Sequence, residues 1–155
     1  DERRETALAA LLHDIGMARL PSDTLVAALF TDQDRARVRG HPLEGARVLL
    51  RHGEELECAA VVAYEHHLRQ DGGGYPRLNY PREPHVLTRV VAVCGAFDAL
   101  LAHRPDRTPL DPADALHEIQ RNVVAQFDSR VVTAFADLML RSARRGSLAL
   151  TTRQD

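Results

Sequence analysis

The chain has 155 residues, 45% of them hydrophobic and 27% charged, which is one domain's worth of material with too much apolar content for wholesale disorder. No apolar run approaches the ~20 residues of a membrane span, and no basic-then-apolar leader opens the sequence. The 20 basic residues are all Arg and face 22 acids, for a net charge of −2, so no overall field favours nucleic acid or an anionic membrane. Aromatics are 5% with no Trp, which leaves few stacking platforms for single-stranded nucleic acid.

Helical signals dominate in chain order. Residues 2–12 are strong helix formers with Leu8, Leu11 and Leu12 at helical spacing, running up to His13-Asp14. Gly16 and Pro21 interrupt; Ser22 or Asp23 then caps a short helix carrying Leu25, Val26 and Leu29. Asp32 and Asp34 open another helix that reaches Gly40-His41-Pro42 and resumes through Leu49 to Gly53. Glu54 and Glu55 start a helix whose apolar stretch ends in Tyr64-Glu65-His66-His67. Gln70 to Pro84 holds Gly72, Gly73, Gly74, Pro76, Pro81 and Pro84, a loop of ~15 residues, and connections that long tend to be functional or disordered.

Val86 to Leu101 is almost continuously apolar and reads as a buried central helix, though its Val-rich half also suits a strand. Pro112 after Asp111 begins a helix to about Val124, and Asp128 or Ser129 caps a last one with Val132, Phe135, Leu138 and Leu140 inward. Cys58 and Cys94 sit in apolar sequence and read as small core residues, which fits a reducing cytoplasm. With no strand alternation and no internal repeat, the expected fold is an all-α helical bundle with one long Gly/Pro-rich loop. The expected domain is 1–145, followed by a flexible tail at 146–155. The abrupt helical start at Asp1 reads as a piece of a larger regulator.

Chemistry concentrates in His13-Asp14, His41, His66-His67 and Asp71 with its glycines. Imidazole and carboxylate suit Fe, Mn and Zn, and a carboxylate can bridge two cations. Adjacent helical residues diverge by ~100°, so both members of a dyad reach one cleft only where the helix ends, and each dyad falls at a predicted helix end. His52, His85, His103 and His117 stand alone and read as ordinary surface or satisfied histidines.

The runs Leu11-Leu12-His13-Asp14-Ile15-Gly16, His41-Pro42-Leu43-Glu44-Gly45-Ala46 and His66-His67 with Asp71-Gly72-Gly73-Gly74-Tyr75-Pro76 resemble the HD-GYP subgroup of HD-domain phosphohydrolases. Phe97-Asp98-Ala99-Leu100, Arg104-Pro105 and Gln126-Phe127-Asp128 continue the similarity in order. The resemblance implies an all-helical HD-domain fold and hydrolysis of cyclic di-GMP at a bi- or trinuclear Fe or Mn site, of which one or two ions are expected in this chain. It implies His13, Asp14, His41, His66 and His67 as metal ligands, with Asp14 the catalytic bridge. Arg104, Arg107, Tyr75 and Gly74 would contact substrate. Implied partners are cyclases or other signalling proteins docking on the Gly72–Pro76 loop and an upstream sensory domain, with no DNA and no membrane contact.

Two departures fall on the chemistry. Met17 stands where the family usually has Lys, and Gly95 where it has a metal-binding Asp; Asp98 points ~60° away from that direction on a helix. Leu68 and Asp106 depart more mildly from the usual Glu and Tyr. The expectation is a phosphodiesterase whose activity is weakened at Gly95 and Met17; the alternative is a catalytically inactive cyclic di-GMP receptor or protein-interaction module.

Overall fold

Most helices of this chain begin at a side chain that can satisfy their free N–H groups or follow directly from a turn, and the breaks between helices deliver the histidines. The computed structural model describes residues 2–25, 31–79, 82–103, 107–144 and 146. Its helices are α1 (Glu2–Leu12), α2 (Ser22–Leu25), α3 (Asp32–Val38), α4 (His41–Leu50), α5 (Glu57–Glu65), α6 (Val86–Leu101), α7 (Pro112–Arg121) and α8 (Ser129–Arg144), with 3₁₀ turns at Ile15–Arg19 and Glu54–Leu56. No strand occurs among the described residues; Leu68 with Gly74 and Val123 with Phe127 form isolated bridges. The all-α expectation holds. Val26, Leu29, Arg104 and the tail beyond Gly146 lie outside the described residues.

The caps explain the boundaries. Thr31 Oγ1 accepts from the Asp34 N–H at 3.1 Å while Asp34 accepts from the Thr31 N–H at 3.0 Å, a capping box that starts α3 at the expected Asp32, with the cap one residue earlier. Asp111 accepts from the Ala113 and Asp114 N–H groups, both at 2.9 Å, and Asp128 from the Arg130 N–H at 2.8 Å.

Two cores result. α1, α4 and α5 pack around Ala9, Ala46, Leu49, Ala59, Ala60, Val62 and Ala63, with Val91 of α6 completing the cluster. These residues are mostly Ala, so the helices approach closely. Gly16 carries that furthest: a Cβ there would collide with the His41 carbonyl, so only glycine lets the turn after Asp14 lie against the start of α4. The second core joins α6, α7 and α8 through Val93, Phe97, Leu116, Ile119, Phe127, Val132, Ala136 and Met139.

Three expectations about the core need correction. The inward face of α8 is Val132, Ala136 and Met139, at i, i+4 and i+7; Phe135 is half-buried, while Leu138 and Leu140, rotated off that stripe, are 53% and 49% exposed. α6 is central but not buried all round, since Val86 and Cys94 lie on its solvent side. Cys94 is therefore exposed rather than core, and Cys58 is half-buried; both are free thiols.

Candidate metal centre

Helix ends place the ligands. α1 stops at Leu12, so His13 and Asp14 leave the helix together; α5 stops at Glu65, so His66 and His67 do the same; His41 opens α4. Each of three imidazoles is aimed by a carbonyl three residues earlier. His13 Nδ1 lies 2.8 Å from Ala10 O, His41 Nδ1 2.6 Å from Val38 O and His66 Nδ1 2.9 Å from Ala63 O. A carbonyl only accepts, so each Nδ1 carries the proton and each Nε2 presents a lone pair.

These lone pairs converge on Asp14. Its Oδ1 is 3.1 Å from His41 Nε2 and 3.2 Å from His66 Nε2, while Oδ2 is 3.4 Å from His13 Nε2. His41 Nε2 and His66 Nε2 are themselves 3.1 Å apart, a separation that needs either a shared proton or a metal cation between the two nitrogens. Asp14, His41, His66 and His67 offer ligand atoms all within 4.8 Å of one another. The donor set therefore fits a metal ion, and the two carboxylate oxygens face two separate groups of imidazoles.

The surroundings tune the charges. The imidazoles of His41 and His66 beside it hold the Asp14 carboxyl far below the usual carboxylate range, against the opposing effect of burial. Burial, reinforced by His66 and His41, pushes His67 down to about 3, so its ring is neutral and available as a donor across ordinary pH. Tyr75 stacks on His67 at 4.4 Å and 29°, with the Arg39 guanidinium 5.8 Å from the Tyr75 ring centre. Burial and the Asp14 charge push the Tyr75 hydroxyl up to about 12, so it stays protonated.

All five predicted ligands thus meet at one place, and Gly74 and Tyr75 join them. Gly74 has φ +81°, and a Cβ there would collide with the His67 carbonyl, which explains the glycine. The Tyr75 N–H donates to that same carbonyl at 3.2 Å. Arg107 is different: its guanidinium donates to the carbonyl of Ala99, a residue of the α6 wall of the cavity, at 2.7 Å and not to the imidazole cluster. Gly95 does face the cluster. A Cβ there would have His13 Nε2 as its nearest neighbour at 3.9 Å, so the missing side chain leaves open room beside the ligand.

The cavity of about 390 Å³ in front of the cluster is closed on its far side by Val91, Ala92, Gly95, Ala96 and Ala99 of α6 and by Gln126 and Phe127. Sequence reasoning missed Glu65, whose fully buried carboxylate accepts from the His85 N–H at 2.8 Å, from Thr88 Oγ1 at 3.0 Å and from Arg82. It fastens the end of α5, and with it His66, to the start of α6. Only its place beside the histidine pair could have marked it.

The sequence profile of the HD domain matches residues 1–131. This chain belongs to the HD-domain family. A cyclic di-GMP phosphodiesterase of Pseudomonas aeruginosa is 36% identical over 133 residues, covering 85% of this chain and 32% of that protein. One from Thermotoga maritima is 35% identical over 136 residues, covering 86% and 37%. A 3′3′-cGAMP-specific phosphodiesterase of Vibrio cholerae is 35% identical over 113 residues, covering 71% and 24%. The chain spans about a third or less of the length of these relatives. Within the HD-domain family it groups with the HD-GYP-type phosphohydrolases, which are metal dependent. No helix of the described residues is long and apolar enough to cross a membrane.

Proposed function

We propose that this HD domain hydrolyses cyclic di-GMP, adding water across a phosphodiester bond. The observation that carries the reading is Asp14 standing between His13 on one oxygen and His41 with His66 on the other. Relatives named for cyclic di-GMP and 3′3′-cGAMP supply the substrate class.

His41, His66 and Asp14 would hold one cation, with His67 beside them; His13 and Asp14 would hold a second. The nitrogen-rich donor set, completed by one carboxylate, suits Fe or Mn. When bound, such ions supply Lewis acidity and a water-derived nucleophile at neutral pH. The chain's own contribution is positional. The backbone carbonyls of Ala10, Val38 and Ala63 fix the rings, Asp14 ties the two groups together, and Gly74 brings Tyr75 over His67. Substrate contacts would come from Tyr75, Gly74, Arg104 and Arg107; Arg107 must release Ala99 O to do so. Met17 offers no cation to the phosphate, and Gly95 no carboxylate to the His13 side, so turnover is slow for this chemistry: loss of one preorganised electrostatic stabiliser costs about 10²–10³ in rate. As parts of this reading, the protein works in the cytoplasm as the output of an upstream sensory domain and meets signalling partners through Gly72–Pro76.

The test is purification with Mn or Fe, metal analysis per chain, and chromatographic assay of cyclic di-GMP beside His66→Ala. Metal-dependent turnover that the substitution abolishes supports the proposal. Nucleotide binding without turnover would identify a receptor instead, and neither would refute both.

A further inference from the structure

We infer that Gln126 reads a purine base of the bound cyclic dinucleotide, and that its reversible amide admits either guanine or adenine. The inference rests on the cyclic-dinucleotide reading above. Gln126 is half-buried and lines the same cavity as His13, Asp14 and His66, from the opposite wall. Its side-chain amide has no hydrogen-bond partner among the described residues. Arg69, in the same cavity, is already paired with Asp71 through contacts of 2.9 and 3.1 Å.

The backbone that carries Gln126 is held firmly. Its N–H donates to Asn122 O at 2.9 Å, and the next two residues, Phe127 and Asp128, are buried. Asp128 is locked by Arg89 at 2.7 Å, and the Ala125 carbonyl accepts from the Asp71 N–H at 3.0 Å, tying this turn to the glycine segment. Val124 adopts φ +74° although it is β-branched and 75% exposed, and such outliers persist where the surroundings over-determine them, commonly at binding sites.

The chemistry of the group selects the ligand part. A neutral amide is a poor phosphate anchor, but it carries a donor and an acceptor side by side. Against guanine its NH₂ donates to O6 and its oxygen accepts from N1–H. Turned over, its NH₂ donates to adenine N1 and its oxygen accepts from N6–H. An Arg at this position would offer donors alone.

The metal-loaded domain is assayed on cyclic di-GMP, on its all-adenine counterpart cyclic di-AMP, and on the base-free bis(4-nitrophenyl) phosphate. The native chain is expected to process the two cyclic dinucleotides within about tenfold of each other in kcat/KM. Gln126→Ala is expected to raise KM for both about tenfold more than for the base-free ester, through KM rather than kcat. Gln126→Glu, nearly isosteric, accepts from guanine N1–H and N2–H but opposes adenine N1, so the ratio moves about tenfold toward cyclic di-GMP. Equal losses on all three substrates, or an unmoved ratio in Gln126→Glu, overturn the inference while leaving the proposed function intact. Cleavage of the base-free ester with no binding or cleavage of either cyclic dinucleotide overturns the proposed function and this inference together. If the domain binds without turnover, calorimetric Kd ratios replace the kinetic ones, with the same outcomes.

Discussion

The two walls of the cavity face each other with opposite chemistry. The wall drawn from residues 13–67 concentrates imidazoles and a carboxylate on an alanine-rich core, whereas the wall drawn from α6 and the 122–127 turn is small, apolar and almost free of charge. The first gathers groups that could hold a cation from three separate helix termini; the second shapes the space in front of them. Gly95 belongs to the second wall, and all five candidate ligands belong to the first.

Four experiments sharpen or break that contrast. The largest effect is expected from restoring charge to the apolar wall. Gly95→Asp, whose new Cβ meets nothing closer than 3.9 Å, should raise metal per chain and increase kcat about 100-fold, more so with Met17→Lys. Unchanged metal content and rate would show that position 95 does not govern the site.

Severing the walls comes next. Glu65→Ala removes a buried carboxylate that joins α5 to Thr88 and His85 of the α6 start, and urea unfolding should show a loss of about 3 kcal/mol. A loss under ~1 kcal/mol would mean that packing alone holds the walls together.

Relieving the turn is a smaller change of opposite sign. Val124→Gly removes left-handed strain worth about 1–3 kcal/mol but adds unfolded-state entropy. A net gain of about 1 kcal/mol in stability is expected, visible as a higher Tm. A lower Tm would place the turn's stability in the valine side chain itself.

The smallest effect is in pH. Arg130 first, and Arg89 after it, hold the Asp128 carboxyl well below its ordinary 3.8. The folded state therefore binds fewer protons than the unfolded one below that value, and the stabilisation, complete above it, is lost as pH falls. Asp128→Asn, which keeps the cap acceptor, should flatten the fall in Tm between pH 5 and pH 3 on a ~10 °C scale or less. An identical slope in both proteins would remove Asp128 from the acid response.

Much of this was legible from local signals. Asp111-Pro112 and Asp128-Ser129 announce helix starts through cap chemistry, and the dyads His13-Asp14 and His66-His67 mark helix ends because no continuing helix could aim both members at one cleft. Facing was less legible. The α8 stripe depends on which of several apolar residues α6 and α7 cover, so Leu138 and Leu140 were expected inward where Met139 in fact lies. Glu65 was hidden for another reason. Its partners lie 17 to 23 residues later in the chain, beyond the glycine segment, and no spacing rule links them. Arg107 was expected to contact substrate, and its tie to Ala99 O is a tertiary fact that no local signal announces.

The proton on each Nδ1 has a consequence for how such a centre arises. Because Ala10, Val38 and Ala63 each lie three residues before the ring they steer, orientation is settled locally, without waiting for distant neighbours. Assembly then needs only to bring pre-aimed donors together. A centre organised this way can keep its donors aimed while the residues across from it drift, which makes the opposing wall the natural place for evolution to experiment with what is bound.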